Sequence, residues 1–360
     1  MTERIPCAVL GATGYIGQHF VRMLSEHPWF DLIAVTSSGR TSGARLNDVW
    51  NLPGASPGSA ARLRLSPTSP AALARAGVQV AFSALPREIA APAEPECRRR
   101  RVSVFTNASA HRRDPDVPLI VPEVNPGHLA VLGRQPRAGG ILVANPNCTA
   151  TGLVVALKPV IDLLAPRSIH VTTYQALSGA GFPGLASLSA LDNVVPYIFG
   201  EEEKVESESQ IILGGRGART HRPRKIPILA NCARVPVRDG HLEAVTVEAG
   251  RRPLLRQIRD AWSGFDPLRP LGLPTAPHPP VVVRPEADRP QPLMDRWEGS
   301  SERSRGMTIV VGRIRWEPPF LRFFLLSHNA VRGGAGGSIL NAELARERGL
   351  LTGTRGGRDS

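Results

Sequence analysis

The stretch "IPCAVLGATGYIGQHFVRMLSEHP", residues 5–28, decides the reading of the fold. It opens on the apolar run IPCAVL, which has the length and composition of a buried strand. GATGYIG follows, with Gly11, Gly14 and Gly17 in a GxxGxxG pattern. Phe20, Val21 and Leu24 then recur at helical spacing. Strand, glycine turn and helix in that order are the first half of a βαβ unit. Glycines there let the backbone turn tightly and let a pyrophosphate approach. The helix N-terminus supplies N–H donors and the positive end of its dipole. From these residues alone, a plain glycine turn is the alternative.

The alternation continues outward. DLIAVTSS (31–38) reads as the next strand, and VQVAFSALP (78–86) and RVSVFTNAS (101–109) as two more. Alanine-rich, helix-like segments precede each of the last two. This pattern predicts an α/β, Rossmann-type, doubly wound parallel sheet. Residues 41–70, rich in Pro, Ser and Gly, read as surface loop. NAD-binding versions of the unit usually end the second strand on an acidic residue. Here Ser37, Ser38 and Arg40 stand in that place. Hydroxyls and a guanidinium suit a 2′-phosphate, which predicts NADP; a polar loop with a solvated arginine is the alternative.

The second landmark is "ILVANPNCTATGLVVALKPV", residues 141–160. An apolar run ends in Asn-Pro-Asn, and Cys148 begins a segment with helical spacing that Pro159 should stop. Asn147 is a natural N-cap. A helix start favours thiolate over thiol, so Cys148 is a candidate nucleophile; a packing cysteine is the other reading. Downstream, strand-like runs occupy 168–176, 226–237, 241–249, 280–284, 307–315 and 320–327. Helical stretches at 184–198 and 252–262 interrupt them. Strands in runs predict an α+β domain with a mostly antiparallel sheet. The segment 336–350 reads as an amphipathic helix returning to the first domain, and 353–360 as a disordered tail. The expected division is residues 1–147, completed by 328–352, and residues 148–327. His241 follows an Asp-Gly turn, with Arg234 seven residues earlier on the strand entering it. An imidazole and a guanidinium flanking one turn could share a site or lie on the surface.

Bulk properties narrow the classes. A chain of 360 residues suggests two domains. The net charge of +13 invites a nucleic-acid reading, yet only three of the 44 basic residues are lysine. The arginines are scattered apart from CRRRR (97–101) and RPRK (222–225), which reads as coding bias, with some arginines holding small anions. Cys7, Cys97, Cys148 and Cys232 form no CxxC pair, which argues against zinc and disulfides. No stretch of about 20 apolar residues predicts a membrane span. The N-terminus has no apolar signal core, so a cytoplasmic location is expected.

Ten ordered segments carry a resemblance: GATGYIGQ, FSALP, NASAHRRDPDVPLIVPEVN, NPNCTATGLVVALKP, TYQALSGAGFPG, LDNVVPYIFGEEEK, RVPVRDGH, LGLPTAP, DRPQP and SHNAVRGGAGGSILNAEL. From about residue 5 to 350 the chain resembles the aspartate-semialdehyde dehydrogenases of the archaeal and fungal branch. The resemblance implies NADPH-dependent reductive dephosphorylation of L-aspartyl 4-phosphate through a Cys148 acyl-thioester. It implies His241 as acid/base with a near-neutral pKa, and Gln175 orienting the substrate. Arg234 would clamp the substrate carboxylate, Glu201 meet its ammonium, and Arg112 and Lys204 bind phosphate. Gly11, Thr13, Gly14, Tyr15, Ile16, Ser83, Leu85, Ser178, Gly179, Gly181, Asn329 and Gly336 would contact the cofactor. A homodimer or homotetramer is implied, with no specific nucleic acid, membrane or metal. Ala233, Leu293 and segment 214–225 depart from the family pattern. The alternatives are a same-fold reductase of another activated acid (malonyl-CoA reductase-like, or a biosynthetic paralogue) and a non-catalytic NADP-binding regulator.

Overall fold

The computed structural model describes residues 3–54, 56–214 and 223–351. The predicted tail, 353–360, and most of segment 214–225 lie outside them. The first sheet comprises β1 (Ile5–Leu10), β2 (Phe30–Ser37), β3 (Leu65–Pro67), β4 (Val80–Ser83), β5 (Ser103–Thr106) and β6 (Leu142–Ala144). Their order is β3-β2-β1-β4-β5-β6, and every pairing is parallel. Helices α1 (Tyr15–Leu24), α2 (Pro70–Arg75) and α3 (Arg87–Arg99) connect the strands. Cys7 to Leu10 are fully buried, as a strand covered on both faces must be. Strands β2 and β4 flank β1 on opposite sides, so the order reverses there and a crevice opens at the strands' carboxyl ends.

The glycines of the turn are required by space. Gly11 has φ +78°, and a Cβ there would lie 2.8 Å from the Ala84 carbonyl oxygen. A Cβ on Gly17 would overlap the Gly11 carbonyl, so α1 could not pack so close to β1. The 41–70 stretch is mostly irregular, as expected, with one difference. Leu65–Pro67 pairs with β2 as the sheet edge, and Leu46 is buried beneath it.

The second sheet contains β7 (Pro166–Gln175), β8 (Ile228–Arg234), β9 (His241–Ala249), β10 (Val281–Arg284), β11 (Ile309–Glu317) and β12 (Phe320–Ser327). Its order is β10-β11-β12-β9-β7-β8. The three inner pairings are antiparallel and the two outer ones parallel. Helix α4 (Cys148–Leu164) lies between the sheets and is buried along almost its whole length. It runs through Pro159, where the sequence predicted a stop. An interior proline costs about 3 kcal/mol. Val160, Ile161 and Leu164 beyond it are completely buried, and that packing carries the helix on to Ala165, which is left-handed at φ 45°.

Two further expectations are corrected. The predicted helix 184–198 is only one turn, α5 (Ser187–Ala190). Its apolar residues Leu185, Leu188, Leu191, Val194 and Tyr197 repeat every three positions, too short a period for one face of an α-helix, and all are exposed. Conversely α6 (Glu201–Ile212) was unforeseen because its sequence is so polar. Helices α7 (Leu255–Ser263), α8 (Pro292–Asp295) and α9 (Gly336–Glu347) complete the chain. Ile339, Leu340 and Leu344 of α9 join the core formed by Cys7, Val9, Phe20 and Phe82. No helix among the described residues is long and apolar enough to cross a membrane.

A π-helical turn, Val331–Ala335, precedes α9. It is tied to the first domain by a bidentate pair: Arg332 Nη1 and Nη2 donate to Glu123 Oε1 and Oε2 at 2.8 and 2.6 Å. Both side chains are 1% exposed. Removing one partner leaves the other buried and unpaired. Glu123→Ala is therefore expected to lower unfolding free energy by about 3–5 kcal/mol, read from denaturant titration. A loss below about 1 kcal/mol would contradict this anchoring role.

Candidate active site

Cys148 is placed by its neighbour. Asn147 Oδ1 accepts from the N–H groups of Thr149 and Ala150, at 2.9 and 3.1 Å, and caps α4. Its own N–H donates to Glu208 Oε2 at 2.6 Å, and its Nδ2 to Glu201 Oε1 at 2.8 Å. Both glutamates come from α6. Cys148 thus sits at the carboxyl edge of the first sheet, with part of its surface open, whereas the other three cysteines are buried. It lies at the floor of a cleft of about 600 Å³. A Cβ on Gly333 would come within 2.5 Å of Cys148 Cβ, so the π-helical turn closes directly over the cysteine.

His241 begins β9 and brings Nε2 to 3.3 Å from Cys148 Sγ. The Ala176 N–H donates to its Nδ1 at 3.1 Å. With Nδ1 occupied as an acceptor, the neutral ring carries its proton on Nε2 and presents that N–H to the sulfur. Burial, with Arg234 and His328 nearby, pushes the imidazole down to about 3. The near-neutral value expected from sequence is not found, because complete burial penalises the imidazolium. Burial likewise pushes the Cys148 thiol up to about 12, with the Glu201 charge adding to it and Arg112 and Arg234 opposing. Desolvation outweighs the helix-end effect that the sequence suggested.

The remaining predicted substrate residues converge here. Gln175 ends β7 and donates to Glu201 Oε1 at 3.0 Å. That oxygen also accepts from Asn147 and from Thr149 Oγ1, while Oε2 lies 3.7 Å from Lys204 Nζ. Arg234 ends the adjacent parallel strand β8, paired with Gln175. Its Nη1 donates to the Ala176 carbonyl at 2.8 Å, and the side chain lines the cleft. Gly179 makes room for it, since a Cβ there would lie 2.5 Å from Arg234 Nη1. Arg112 is partly committed: it donates to Glu208 at 3.2 Å and to the Asn107 carbonyl at 2.8 Å. Its Nε is buried without a partner at the cleft wall.

Of the predicted cofactor residues, Gly14, Tyr15, Ile16, Leu85, Ser178, Gly179, Gly181 and Asn329 line the same cleft. Gly11 and Thr13 form the turn behind it. Ser37, Ser38 and Arg40 lie at the end of β2, where Ser37 Oγ accepts from Thr41 at 2.8 Å. Arg40 is exposed, with no ion pair among the described residues. Two predicted residues fall elsewhere. Ser83 is fully buried in β4, and Gly336 packs against Met307 because α9 begins there, behind the cleft. Glu208, which braces both Asn147 and Arg112, was missed. Its signal was the spacing Glu201, Val205, Glu208, Ile212, one buried helical face within a charged sequence.

Comparison with known proteins agrees with this geometry. Residues 6–132 match the NAD binding domain of semialdehyde dehydrogenases, and residues 157–332 their dimerisation domain. An aspartate-semialdehyde dehydrogenase of Archaeoglobus fulgidus is 45% identical over 95% of this chain and 98% of its own length. One from Cryptococcus neoformans is 40% identical over 97% of this chain and 98% of its own. The crystal structure of aspartate semialdehyde dehydrogenase with NADP from Candida albicans superposes with a TM-score of 0.85. It is 32% identical and covers 97% of this chain and all of that one.

The Glu201 charge raises the thiol pKa, so its removal lowers it and increases the thiolate fraction near neutrality. Glu201→Gln is expected to speed iodoacetamide labelling of Cys148 at pH 7–8 by about tenfold. Slower labelling would mean that the carboxylate acts on the sulfur in some other way.

Proposed function

This chain belongs to the aspartate-semialdehyde dehydrogenase family, and we propose from that premise how its residues perform the reaction. The reaction is the NADPH-dependent reduction of L-aspartyl 4-phosphate to L-aspartate 4-semialdehyde, with release of phosphate. The observation that carries the mechanism is the 3.3 Å contact between Cys148 and His241. It lies at the base of a cleft shared by the cofactor-side turn and by Arg234, Glu201, Lys204 and Arg112.

The residues present fit NADP. Gly11 and Gly17 leave no room for side chains where α1 starts, which suits close approach of a pyrophosphate to the helix N-terminus. Ser37, Ser38 and the exposed guanidinium of Arg40 suit the 2′-phosphate. Leu85, Ser178, Gly179, Gly181 and Asn329 line the path to the cysteine. When bound, the cofactor supplies the hydride that reduces the acyl carbon.

Arg234 holds the substrate α-carboxylate, for which a planar fork is well shaped. Glu201 Oε2, which lies 3.7 Å from Lys204 Nζ and has no hydrogen bond among the described residues, meets the α-ammonium. Burial is the main influence that raises the Cys148 thiol and the Glu201 charge the next, so neutralising that charge on binding of the amino-acid substrate favours the thiolate. The Cys148 thiol gives its proton to a phosphate oxygen, its sulfur attacks the acyl carbon, the carbon–oxygen bond to phosphate breaks, and Arg112 and Lys204 take the departing hydrogen phosphate. His241 works as a neutral N–H donor, first to the sulfur and then to the oxygen of the tetrahedral species. Collapse of the thiohemiacetal oxyanion breaks the carbon–sulfur bond, releases the aldehyde and returns the thiolate, which takes a proton from solvent to restore the thiol. A CoA thioester offers no ammonium to Glu201, which favours the acyl phosphate of an amino acid.

We assign residues 1–147 with 328–352 to the cofactor domain and 148–327 to the catalytic and dimerisation domain. The chain self-associates through the latter. Leu188, Leu191, Tyr197 and Phe199, between 63% and 93% exposed, mark one part of that surface, and a dimer is the smallest assembly that covers them. The four unpaired cysteines suit a cytoplasmic location.

Arg234→Lys retains the charge and loses the fork. It is expected to raise KM for aspartyl phosphate about tenfold or more, with a smaller change in kcat. An unchanged KM in steady-state NADPH oxidation would place the carboxylate elsewhere.

A further inference from the structure

Tyr15, the first residue of α1, joins the two domains. Its ring packs edge-on against Phe182, with centroids 5.1 Å apart, and its hydroxyl donates to Asp239 Oδ1. Asp239 is 2% exposed and lies two residues before His241. Its other oxygen accepts from Arg238 Nε at 3.0 Å. The next N–H, of Gly240, donates to Asn329 Oδ1 at 2.9 Å, and Asn329 Nδ2 donates to Ser178 Oγ at 2.9 Å. One hydrogen-bonded chain thus links the cofactor-side turn, the turn that carries His241, the return to the first domain, and the loop 177–181. Burial works against the Asp239 carboxylate, yet Tyr15, the neighbouring His328, Ser178 and Arg238 hold it below the usual range. It lines no part of the cleft.

We propose that Asp239 is a positioning residue: through Tyr15 it fixes His241 in one relation to the cofactor-binding turn. This rests on the reaction assigned above. The imidazole has a separate hold, the Ala176 N–H on Nδ1, which sets it against Cys148. Transfer of the acyl group to sulfur therefore does not depend on Asp239. Hydride delivery does, because the imidazole donor and the hydride must meet the same carbonyl. A small misplacement at that point costs far more than the hydrogen bond itself.

The test uses the full-length protein with Asp239→Asn, Tyr15→Phe and the double variant. Phosphate release on mixing with aspartyl phosphate without NADPH reports acyl transfer. The Asp239→Asn burst should keep its amplitude and stay within about twofold of the wild-type rate. Its kcat should fall about tenfold or more. The primary isotope effect with 4-deuterated NADPH should rise as hydride transfer becomes limiting. The double variant should be no slower than the worse single variant, because both break one link. Burst and kcat falling together, an unchanged isotope effect, additive losses, or a kcat loss that only tracks loss of folded protein would each overturn the proposal. Absence of a burst in the wild type would instead overturn the assigned reaction.

Discussion

Everything at this site depends on how α4 begins. Asn147 caps the helix with its side-chain oxygen, anchors its own N–H on Glu208, and gives its amide to Glu201. Three groups of one residue thereby fix the helix start, the base of α6 and the orientation of the substrate-facing carboxylate. Cys148 is the first residue beyond that knot. It emerges beyond the carboxyl end of β6, the edge strand of the parallel sheet, on the same side of the sheet as the crevice beside β1. The second sheet supplies the rest from strand ends: Gln175 closes β7, Arg234 closes β8, and His241 opens β9. Side-by-side pairing of these strands brings an amide, a guanidinium and an imidazole within reach of one sulfur without any long loop.

The electrostatics of that arrangement are those of a buried site. The thiol is pushed up and the imidazole down, so a neutral pair faces the cleft rather than a preformed thiolate–imidazolium pair. Glu201 is the group best placed to be neutralised by an incoming ammonium, and it is also the group that most directly raises the thiol after burial itself. The same burial makes the Nδ1 contact with Ala176 decisive, because it fixes which ring nitrogen bears the proton.

The βαβ opening was legible because two strong signals coincided: an apolar run and glycines at positions where no other residue fits. Cys148 stood out for a similar reason, an N-cap residue before a helical pattern. The strand ends bearing Gln175, Arg234 and His241 could be located, but their convergence could not. It arises from the order β9-β7-β8, set by contacts far apart in sequence. The wrong helix at 184–198 has a plain cause: its apolar residues recur every three positions, and hydrophobicity alone does not separate that spacing from the period of an α-helix. Glu201 and Glu208 show the converse. No helix was expected over so polar a segment; Glu208 went unnoticed because its partners, Asn147 and Arg112, lie in other elements, and Glu201 was reached only through the family resemblance. The pKa directions were misjudged because a local helix-end argument carries no information about burial.

The central claim is that Cys148 carries the acyl group covalently. Mass spectrometry of the acid-quenched protein after mixing with aspartyl phosphate, without NADPH, tests it most directly. The account predicts an aspartyl adduct on the peptide spanning Cys148, removed by hydroxylamine and absent in Cys148→Ala. An adduct on another residue, or turnover with NADPH in Cys148→Ala, would contradict it.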